Sequence, residues 1–252
     1  MHALDIVPLD HIPDIAAGDD LAAHLSGALA AAGGLVEGDI LVIAQKIVSK
    51  AEGRAIALAE VKPSARALEL AAKTGKDPRL VELILGESIK IMRAVPGVLI
   101  VRHRLGHVMA NAGIDQSNIS AEGGKALLLP EDPDQSARHV RERLRTRFAC
   151  APGVIVSDSF GRAWRKGSVN VAIGVAGLAP LVDRRGERDR YGRIMEATEV
   201  AVADALAAAA GLVMGEGNEG RPAARIRGVH ASSDSKAGVG ALIRAREEDL
   251  FR

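Results

Sequence analysis

The sequence predicts an α+β fold with mostly antiparallel or mixed sheets, and it argues against a Rossmann or P-loop fold. Its strand-like runs do not alternate regularly with long helices, as the runs of a doubly wound parallel fold do. Three successive runs are separated only by Pro96-Gly97 and by Gly106, a pattern typical of an antiparallel meander. The sequence also has no Walker-type lysine loop, and no dinucleotide-binding glycine motif that opens a helix.

The length sets the expected domain organisation. A chain of 252 residues can bury a large core and lies at the upper edge of what one domain holds. We expect two intimately packed α+β subdomains that together form one unit. Residues 1–70 and 195–252 make up the first, discontinuous subdomain, and residues 71–194 form the inserted second subdomain.

The first elements follow from apolar spacing and turn residues. Leucines at helical spacing behind an Asp cap predict a helix over 19–32, and an apolar run after a glycine turn predicts a buried strand over 40–44. The next run, IVSKAEGRAIAL, is expected to continue in extended form. A further helix is predicted from Ala65 to about Lys73, with Gly75 as its stop signal.

The remaining elements are predicted in the same way. A helix over 79–85 precedes the meander, whose strands are SIKIMRA, GVLIVRHRL and HVMANAG. A charged helix that ends near 147 precedes a buried strand, GVIVSDSF, whose apolar run ends on Asp158. An Ala-rich helix over 194–214, a glycine loop and a last strand, AARIRGV, complete the order.

Composition excludes several classes of protein. The 33 Lys and Arg residues nearly balance the 32 Asp and Glu residues, and aromatics make up 2%, which argues against a nucleic-acid-binding surface. Cys150 is the single cysteine, so no internal disulfide can form, and the chain is expected to be intracellular. The N-terminus does not resemble a signal peptide, and no apolar run is long enough to span a membrane, so we expect a cytoplasmic, unanchored protein.

The first candidate site is the loop from Asn111 to Asn118, which follows the third meander strand. Asp115 could bind a hard cation, and Asn118 could bind a nucleobase or a phosphate. The alternative is a polar turn in which Asn and Asp cap the next helix, and the spacing by itself favours that turn.

The second candidate site begins where the strand before Asp158 ends. Asp158 and Ser159 are oxygen ligands suited to Mg²⁺ or Mn²⁺, and the basic run that follows suits a polyphosphate. That run comprises Arg162, Arg165 and Lys166. Trp164 would pack beneath this loop or stack on a planar ligand. The alternative is an Asp N-cap at a strand-to-helix junction with solvated arginines. Because both Asp-bearing loops follow apolar strands, the two together favour a shared site more than either loop does alone.

A third stretch places Lys46 and Lys50 after a buried strand. Lysines at a strand end can bind phosphate as point charges. A solvated lysine face is the alternative. No nucleophile elbow and no Cys/His arrangement indicates nucleophilic catalysis.

Taken together, these strings resemble the γ-glutamyl ligases of deazaflavin coenzyme F420 biosynthesis, which attach L-glutamate to the coenzyme's precursor. The matching segments occur in family order along nearly the whole chain, and two of them, ANAGIDQSN and SDSFGRAWRKG, are specific. The weaker segments are IPDI followed by GDDL, GDILVIAQKIVSKAEGR, TGKDPRLVELILGES, ATEVAVADALAAAAGLVMGEG and the terminal REEDLF.

The resemblance implies a role for individual residues. The implied GTP contacts are Ile12, Pro13, Asp14, Ile15, Gln45, Lys46, Lys50, Asn118, Met214 and Gly215. The implied metal ligands are Asp115, Asp158, Ser159 and Glu216, and the candidates for binding substrate or phosphate are Arg162, Trp164 and Arg165. Three positions depart from the family pattern: Gln45 replaces Ser, Ser159 replaces Thr and Glu216 replaces Gln. Glu216 adds a negative charge, which should tighten binding of a hard cation.

The resemblance implies a homodimeric, GTP-dependent amide ligase that forms a carbon–nitrogen bond through an acyl phosphate. Two divalent cations, Mg²⁺ or Mn²⁺, would assist the reaction, and a monovalent cation is an open alternative. The implied partners are the deazaflavin precursor, L-glutamate and GTP. Three alternatives remain: a ligase for a different carboxylate acceptor, a GTP-binding protein without turnover and a metal-dependent phosphatase.

Overall fold

A computed structural model of the chain describes residues 3–117, 124–229 and 237–249. The helices are α1 (Leu21–Ala31), α2 (Gln45–Ala51), α3 (Ala65–Thr74), α4 (Pro78–Gly86), α5 (Pro133–Phe148) and α6 (Val202–Met214). The strands are β1 (Asp5–Pro8), β2 (Ile40–Ala44), β3 (Ala55–Ala57), β4 (Ser88–Val95), β5 (Val98–His103), β6 (Val108–Ala110), β7 (Lys125–Leu127), β8 (Gly153–Arg162), β9 (Arg165–Ala176), β10 (Val182–Asp183), β11 (Glu199–Val200) and β12 (Ala223–Arg227).

The strands form a mixed five-stranded sheet in the order β1-β12-β2-β8-β9, together with smaller sheets. Within the five-stranded sheet β2 and β8 are parallel, and the other neighbours are antiparallel. β4, β5 and β6 form the predicted antiparallel meander. The structure therefore confirms the predicted α+β class with mixed and antiparallel sheets.

The helices begin and end where the sequence provides caps. The Asp20 carboxylate accepts a hydrogen bond from the backbone N–H of Ala23 at the start of α1, and the Ser64 hydroxyl accepts one from Ala67 at the start of α3. α3 ends at Gly75, whose φ of 70° lies in the left-handed region that favours glycine. These helices were predicted from the same residues, and the structure confirms both.

Two predicted elements are wrong. The run after β2 is not extended, since the chain turns into α2 directly at Gln45, and Ile47 and Val48 pack into the core from one helical face. The helix predicted from 194 begins only at Val202, because β11 pairs with β10 and Ile194 pairs with Arg188. In both cases a tertiary contact overrides a local preference of the sequence.

The five-stranded sheet is buried on both faces, and successive residues of β2 alternate between them. Leu41 and Ile43 pack beneath α1, α2 and α5, whereas Ile40 and Val42 pack against α6. A third core lies between α3, α4 and the meander. Because the sheet is covered on both sides, its accessible polar chemistry lies at the ends of its strands.

The predicted subdomain boundaries stay a prediction. β8 and β9, which lie within 71–194, pair in the same sheet as β2 and β12. Among the described helices, none has the length and apolar composition that crossing a membrane requires.

Gly174 marks a close approach between β9 and α5. A Cβ atom at this position would lie 2.3 Å from the carbonyl oxygen of Pro133, the first residue of α5. Backbone atoms cannot yield to such a contact as a flexible side chain can. Gly161, in the neighbouring strand β8, has nothing within 4 Å of its corresponding position.

We expect Gly174→Ala to lower the free energy of unfolding by about 2–3 kcal/mol, because α5 must move away from the sheet. Gly161→Ala is the matched control, with a change within about 0.5 kcal/mol. Urea unfolding followed by circular dichroism measures both variants. Equal stability of the two variants would show that α5 and β9 are not packed this closely.

Candidate functional site

Most of the predicted site residues line one cavity of about 340 Å³. The predicted residues that line it are Ile12, Pro13, Asp14, Ile15, Gln45, Lys46, Lys50, Asp158, Ser159, Met214, Gly215 and Glu216. A larger open groove, of about 1010 Å³, lies against the other side of α2 and contains none of these residues. We therefore place the candidate site in the smaller cavity, where the chemically suited side chains converge.

The parallel pairing of β2 and β8 explains why residues more than a hundred positions apart meet here. Ala44 at the end of β2 lies opposite Ser157 in β8. The carboxyl end of β2 therefore lies beside the middle of β8, and ligands commonly bind at the carboxyl ends of strands in open sheets. Lys46 follows the end of β2, and Asp158 lies in β8 one residue beyond its last pair with β2.

Glu216 enters the cavity from the end of α6. Gly215, with a φ of 78°, turns the chain after Met214 and directs the next residue toward the β8–β9 hairpin. The Glu216 carboxylate accepts a hydrogen bond from the Ser159 hydroxyl on one oxygen and from the Asn170 amide, at 2.7 Å, on the other. Each of the two donors thus has its own carboxylate oxygen as acceptor, which explains why a glutamate side chain fits at this position.

Lys46 and Asp115 form an ion pair, with 2.7 Å between Nζ and Oδ2. The backbone N–H and the hydroxyl of Ser117 both donate to the other carboxylate oxygen of Asp115. Although burial by itself would raise the pKa of Asp115, the hydrogen bonds from Lys46 and Ser117 lower it. Within the described part of the loop, Asp115 forms a local turn with Ser117 and presents its carboxylate to Lys46, and the predicted capping of a helix stays a prediction.

Asp158 has the opposite electrostatic environment. Burial raises its pKa to about 7, and the nearby carboxylates of Asp115 and Glu216 add to the increase. The backbone N–H of Ser159 and the ammonium of Lys46 oppose the increase without cancelling it. Three carboxylates that repel one another are a common feature of sites that bind cations.

The oxygen donors of the site suit a hard divalent cation, which prefers carboxylate and hydroxyl ligands. Asp158 and Glu216 with the Ser159 hydroxyl supply such ligands, and Asp115 lies close enough to affect the pKa of Asp158. Within the described residues, however, no three His, Cys, Asp or Glu side chains form a ready-made metal-binding group. Metal binding would therefore draw these carboxylates closer together.

Three predicted residues lie away from the cavity. Arg162, Trp164 and Arg165 occupy the tip of the β8–β9 hairpin, where Trp164 is 82% exposed with a φ of 58°. The alternative of an Asp N-cap before a helix is wrong as well, because β8 continues as a strand to Arg162. Asn118, a predicted nucleotide contact, lies outside the described residues.

Gln45 lines the cavity but is only 2% exposed, and its side-chain oxygen accepts a hydrogen bond from the Ser49 hydroxyl. This oxygen is thus engaged within α2. The contact between Gln45 and GTP that the resemblance implies stays a prediction.

Sequence reasoning missed Asn170 and Arg221, which also line the cavity. Asn170 pairs directly with Ser159 across the β8–β9 hairpin. Had the run SDSFGRAWRKGSVN been recognised as a hairpin, its register would have placed Asn170 beside Ser159. Arg221 lies in the glycine-rich loop after α6 and forms an ion pair with Asp10. No local pattern in the sequence distinguishes it from a solvated arginine.

Comparison with known proteins gives one consistent result. Residues 10–228 match the sequence model of the family described as F420-0:Gamma-glutamyl ligase. The chain is 51% identical to the coenzyme F420:L-glutamate ligase of Methanothermobacter thermautotrophicus, over 99% of each chain. It is 47% identical to the ligase of the same name from Methanopyrus kandleri and 41% identical to that from Haloarcula marismortui. These alignments cover 99% of this chain and 97% and 96% of those proteins.

The raised pKa of Asp158 predicts how the free energy of unfolding changes with pH. Its pKa in the folded protein, about 7, exceeds the ordinary value of 3.8, so ionised Asp158 destabilises the metal-free fold above pH 7. The penalty decreases as the pH falls from about 7 toward 3.8 and disappears below that value. Asp158→Asn should therefore raise the free energy of unfolding at pH 8 by roughly 1–3 kcal/mol.

Thermal unfolding in the presence of a chelator, at pH 8 and at pH 4, tests this prediction. Asp183→Asn is the control, because Arg185 lowers the pKa of Asp183 to about 2 and its removal should bring no gain. A variant at position 158 that is less stable than the unmodified protein at pH 8 would contradict the assigned environment of this carboxylate.

Proposed function

The chain belongs to the F420-0:Gamma-glutamyl ligase family, and from this premise we propose that it joins L-glutamate to a carboxylate of an F420 precursor, with GTP as the energy source. The observation that carries the proposal is the composition of one cavity. Lys46 and Lys50, which suit phosphates, line it together with Asp158, Ser159 and Glu216, which suit a divalent cation.

The chemistry requires activation of a carboxylate. An amine does not displace oxide from a carboxylate at a useful rate, because oxide is a poor leaving group. Transfer of the γ-phosphoryl group of GTP to the acceptor carboxylate would give an acyl phosphate and GDP. Attack by the glutamate amine would then form the amide, break the bond to phosphate and release inorganic phosphate and the amine's proton.

The residues of the cavity suit this sequence of steps through position and charge. Lys46 and Lys50 would bind the phosphate oxygens, and Arg221 adds a third positive charge to the lining of the cavity. A divalent cation held by Asp158, Ser159 and Glu216 would neutralise charge on the transferred phosphoryl group. The ion pair between Asp115 and Lys46 would orient the lysine for this contact.

Glu216 would take the place of the glutamine that the resemblance implies at this position. Its carboxylate offers each hydrogen-bond donor its own oxygen, while the remaining lone pairs stay available to a cation. A charged ligand binds a hard cation more tightly than a neutral amide does. We therefore propose that Glu216 strengthens metal binding and preserves the geometry of the site. The homodimer, the choice of Mg²⁺ or Mn²⁺ and a monovalent cation stay predictions.

We expect Asp158→Asn to lose glutamate addition by at least about a thousandfold, because a central cation ligand is removed. The assay incubates the protein with the F420 precursor, L-glutamate, a divalent cation and either GTP or ATP, and mass spectrometry counts the added glutamyl units. Asp183→Asn, outside the cavity, should keep full activity. Retained turnover in Asp158→Asn would contradict the metal assignment.

The same assay separates the alternatives. Tight GTP binding without phosphate release would indicate a binding protein, and phosphate release without glutamate would indicate a phosphatase. Release that depends on glutamate but not on the F420 precursor would indicate a ligase for another acceptor. Phosphate release that requires both substrates supports the proposed function.

A further inference from the structure

A second cavity, of about 480 Å³, lies between the meander and the C-terminal segment. We call it the basic cleft and define it by Lys90, Arg102, His107, Arg244 and Arg246. Asp249 is the one carboxylate among the described residues of its lining, against four cationic side chains. The proposed mechanism does not use any of these residues.

The cationic side chains in the cleft are placed against one another. Lys90 and Arg102 are direct cross-strand partners in the pairing of β4 with β5. Like charges directly opposite each other destabilise a sheet. Arg244 and Arg246 bring further positive charge from the tail, which packs on the meander through Ile243 against Gly106. Such repulsion between positive side chains is expected where a bound ligand supplies the compensating negative charge.

Two polar atoms of the cleft residues lack partners. The Nε atom of Arg102 and the Nε2 atom of His107 are buried, and neither has a hydrogen-bond partner among the described residues. Burial, with a further effect of His103, lowers the pKa of His107 to about 4, so its ring is neutral near pH 7. Among the described residues, neither Lys90 nor Arg102 has an ion-pair partner, so these two cations and the buried Arg102 Nε–H donor suit an anion.

A short path connects the cleft to the candidate site. The His107 ring contacts the Phe160 ring edge to face, with 5.6 Å between their centres. Phe160 directly follows Ser159 in β8, and successive side chains of a strand point to opposite faces. The cleft thus approaches β8 at the residue next to Ser159, which lines the cavity.

The proposed reaction indicates which anion would bind here. Each ligation converts one acceptor carboxylate into an amide and adds the two carboxylates of glutamate. The acceptor is therefore an anion, and each product carries one more negative charge than its acceptor. The larger groove beside α2 is a poor match, since five carboxylates line it against two arginines; the carboxylates are Asp19, Asp20, Glu52, Glu131 and Asp132.

We propose that the basic cleft binds the anionic part of the carboxylate acceptor while its reacting carboxylate extends into the candidate site. This inference rests on the proposed function, since it assumes an acceptor that is ligated. It assigns Lys90, Arg102 and Arg246 to acceptor specificity, separately from the residues that would bind GTP and metal.

The test neutralises two exposed cations with Lys90→Gln and Arg246→Gln, singly and together. The double variant should raise the KM for the acceptor by roughly tenfold to fiftyfold, since two charged contacts are lost. Its kcat and its KM values for GTP and glutamate should stay within about twofold of the unmodified protein. Arg66→Gln removes an exposed arginine on α3, outside the cleft, and is the matched control.

A second measurement does not depend on turnover. Titration of the deazaflavin acceptor, followed by its fluorescence without nucleotide or metal, should show the same loss of affinity in the double variant. The affinity of the unmodified protein should fall with added salt, and that of the double variant should fall less. Unchanged acceptor affinity in the double variant would overturn the inference, and so would a rise in the KM for GTP or glutamate instead.

The two proposals fail in different ways. If the unmodified protein consumes no GTP with any acceptor, the proposed function is wrong, and the fluorescence titration still tests the cleft. If it adds glutamate and the double variant binds the acceptor normally, the cleft assignment alone is wrong. The loss of affinity in the double variant can be measured for acceptors with zero and with one glutamyl unit. Because only contacts in the cleft weaken in this variant, a difference between the two losses shows which carboxylates the cleft contacts.

Discussion

The parallel pairing of β2 with β8 is the constraint on which the site depends. It brings Ala44 and Ser157 to the same sheet edge, so that Lys46 and Asp158 meet although the chain between them forms the meander and α5. Both strands are buried on both faces, which leaves their ends as the places where polar groups can reach solvent. A shift of one residue in this register would exchange the two core faces and separate the charged groups.

The site concentrates opposite charges that the composition conceals. Overall the chain carries a net charge of +1, yet the carboxylates of Asp115 and Glu216 and the ammonium of Lys46 all act on Asp158. The cost of this arrangement appears in the pKa of Asp158, which burial raises to about 7. A local penalty of this kind is typical of functional sites, where a ligand is expected to supply the missing interaction. In the basic cleft the repelling groups are cations, and an anionic ligand is expected to supply the missing interaction.

Much of the fold could be predicted, and the failures share one cause. The caps of α1 and α3 are local signals, and the sequence located both helices. The start of α6 and the helical state of α2 were mispredicted, because pairing near β10 and burial against the core decide them. Apolar periodicity over a short segment cannot distinguish a helix from an extended run when the deciding partner lies far away in the chain.

By itself, the sequence determined the α+β class, the family resemblance and the residue types that could bind metal and phosphate, because these depend on short motifs and their order. Only the tertiary structure decided which of those residues share a cavity. It joined Glu216 to Asn170, which no motif had marked, in the cavity that Asp158 also lines, and it placed Trp164 on an exposed turn away from that cavity. The physical reason is that hydrogen bonds and pKa shifts depend on distances between groups, and strand register rather than sequence separation sets those distances.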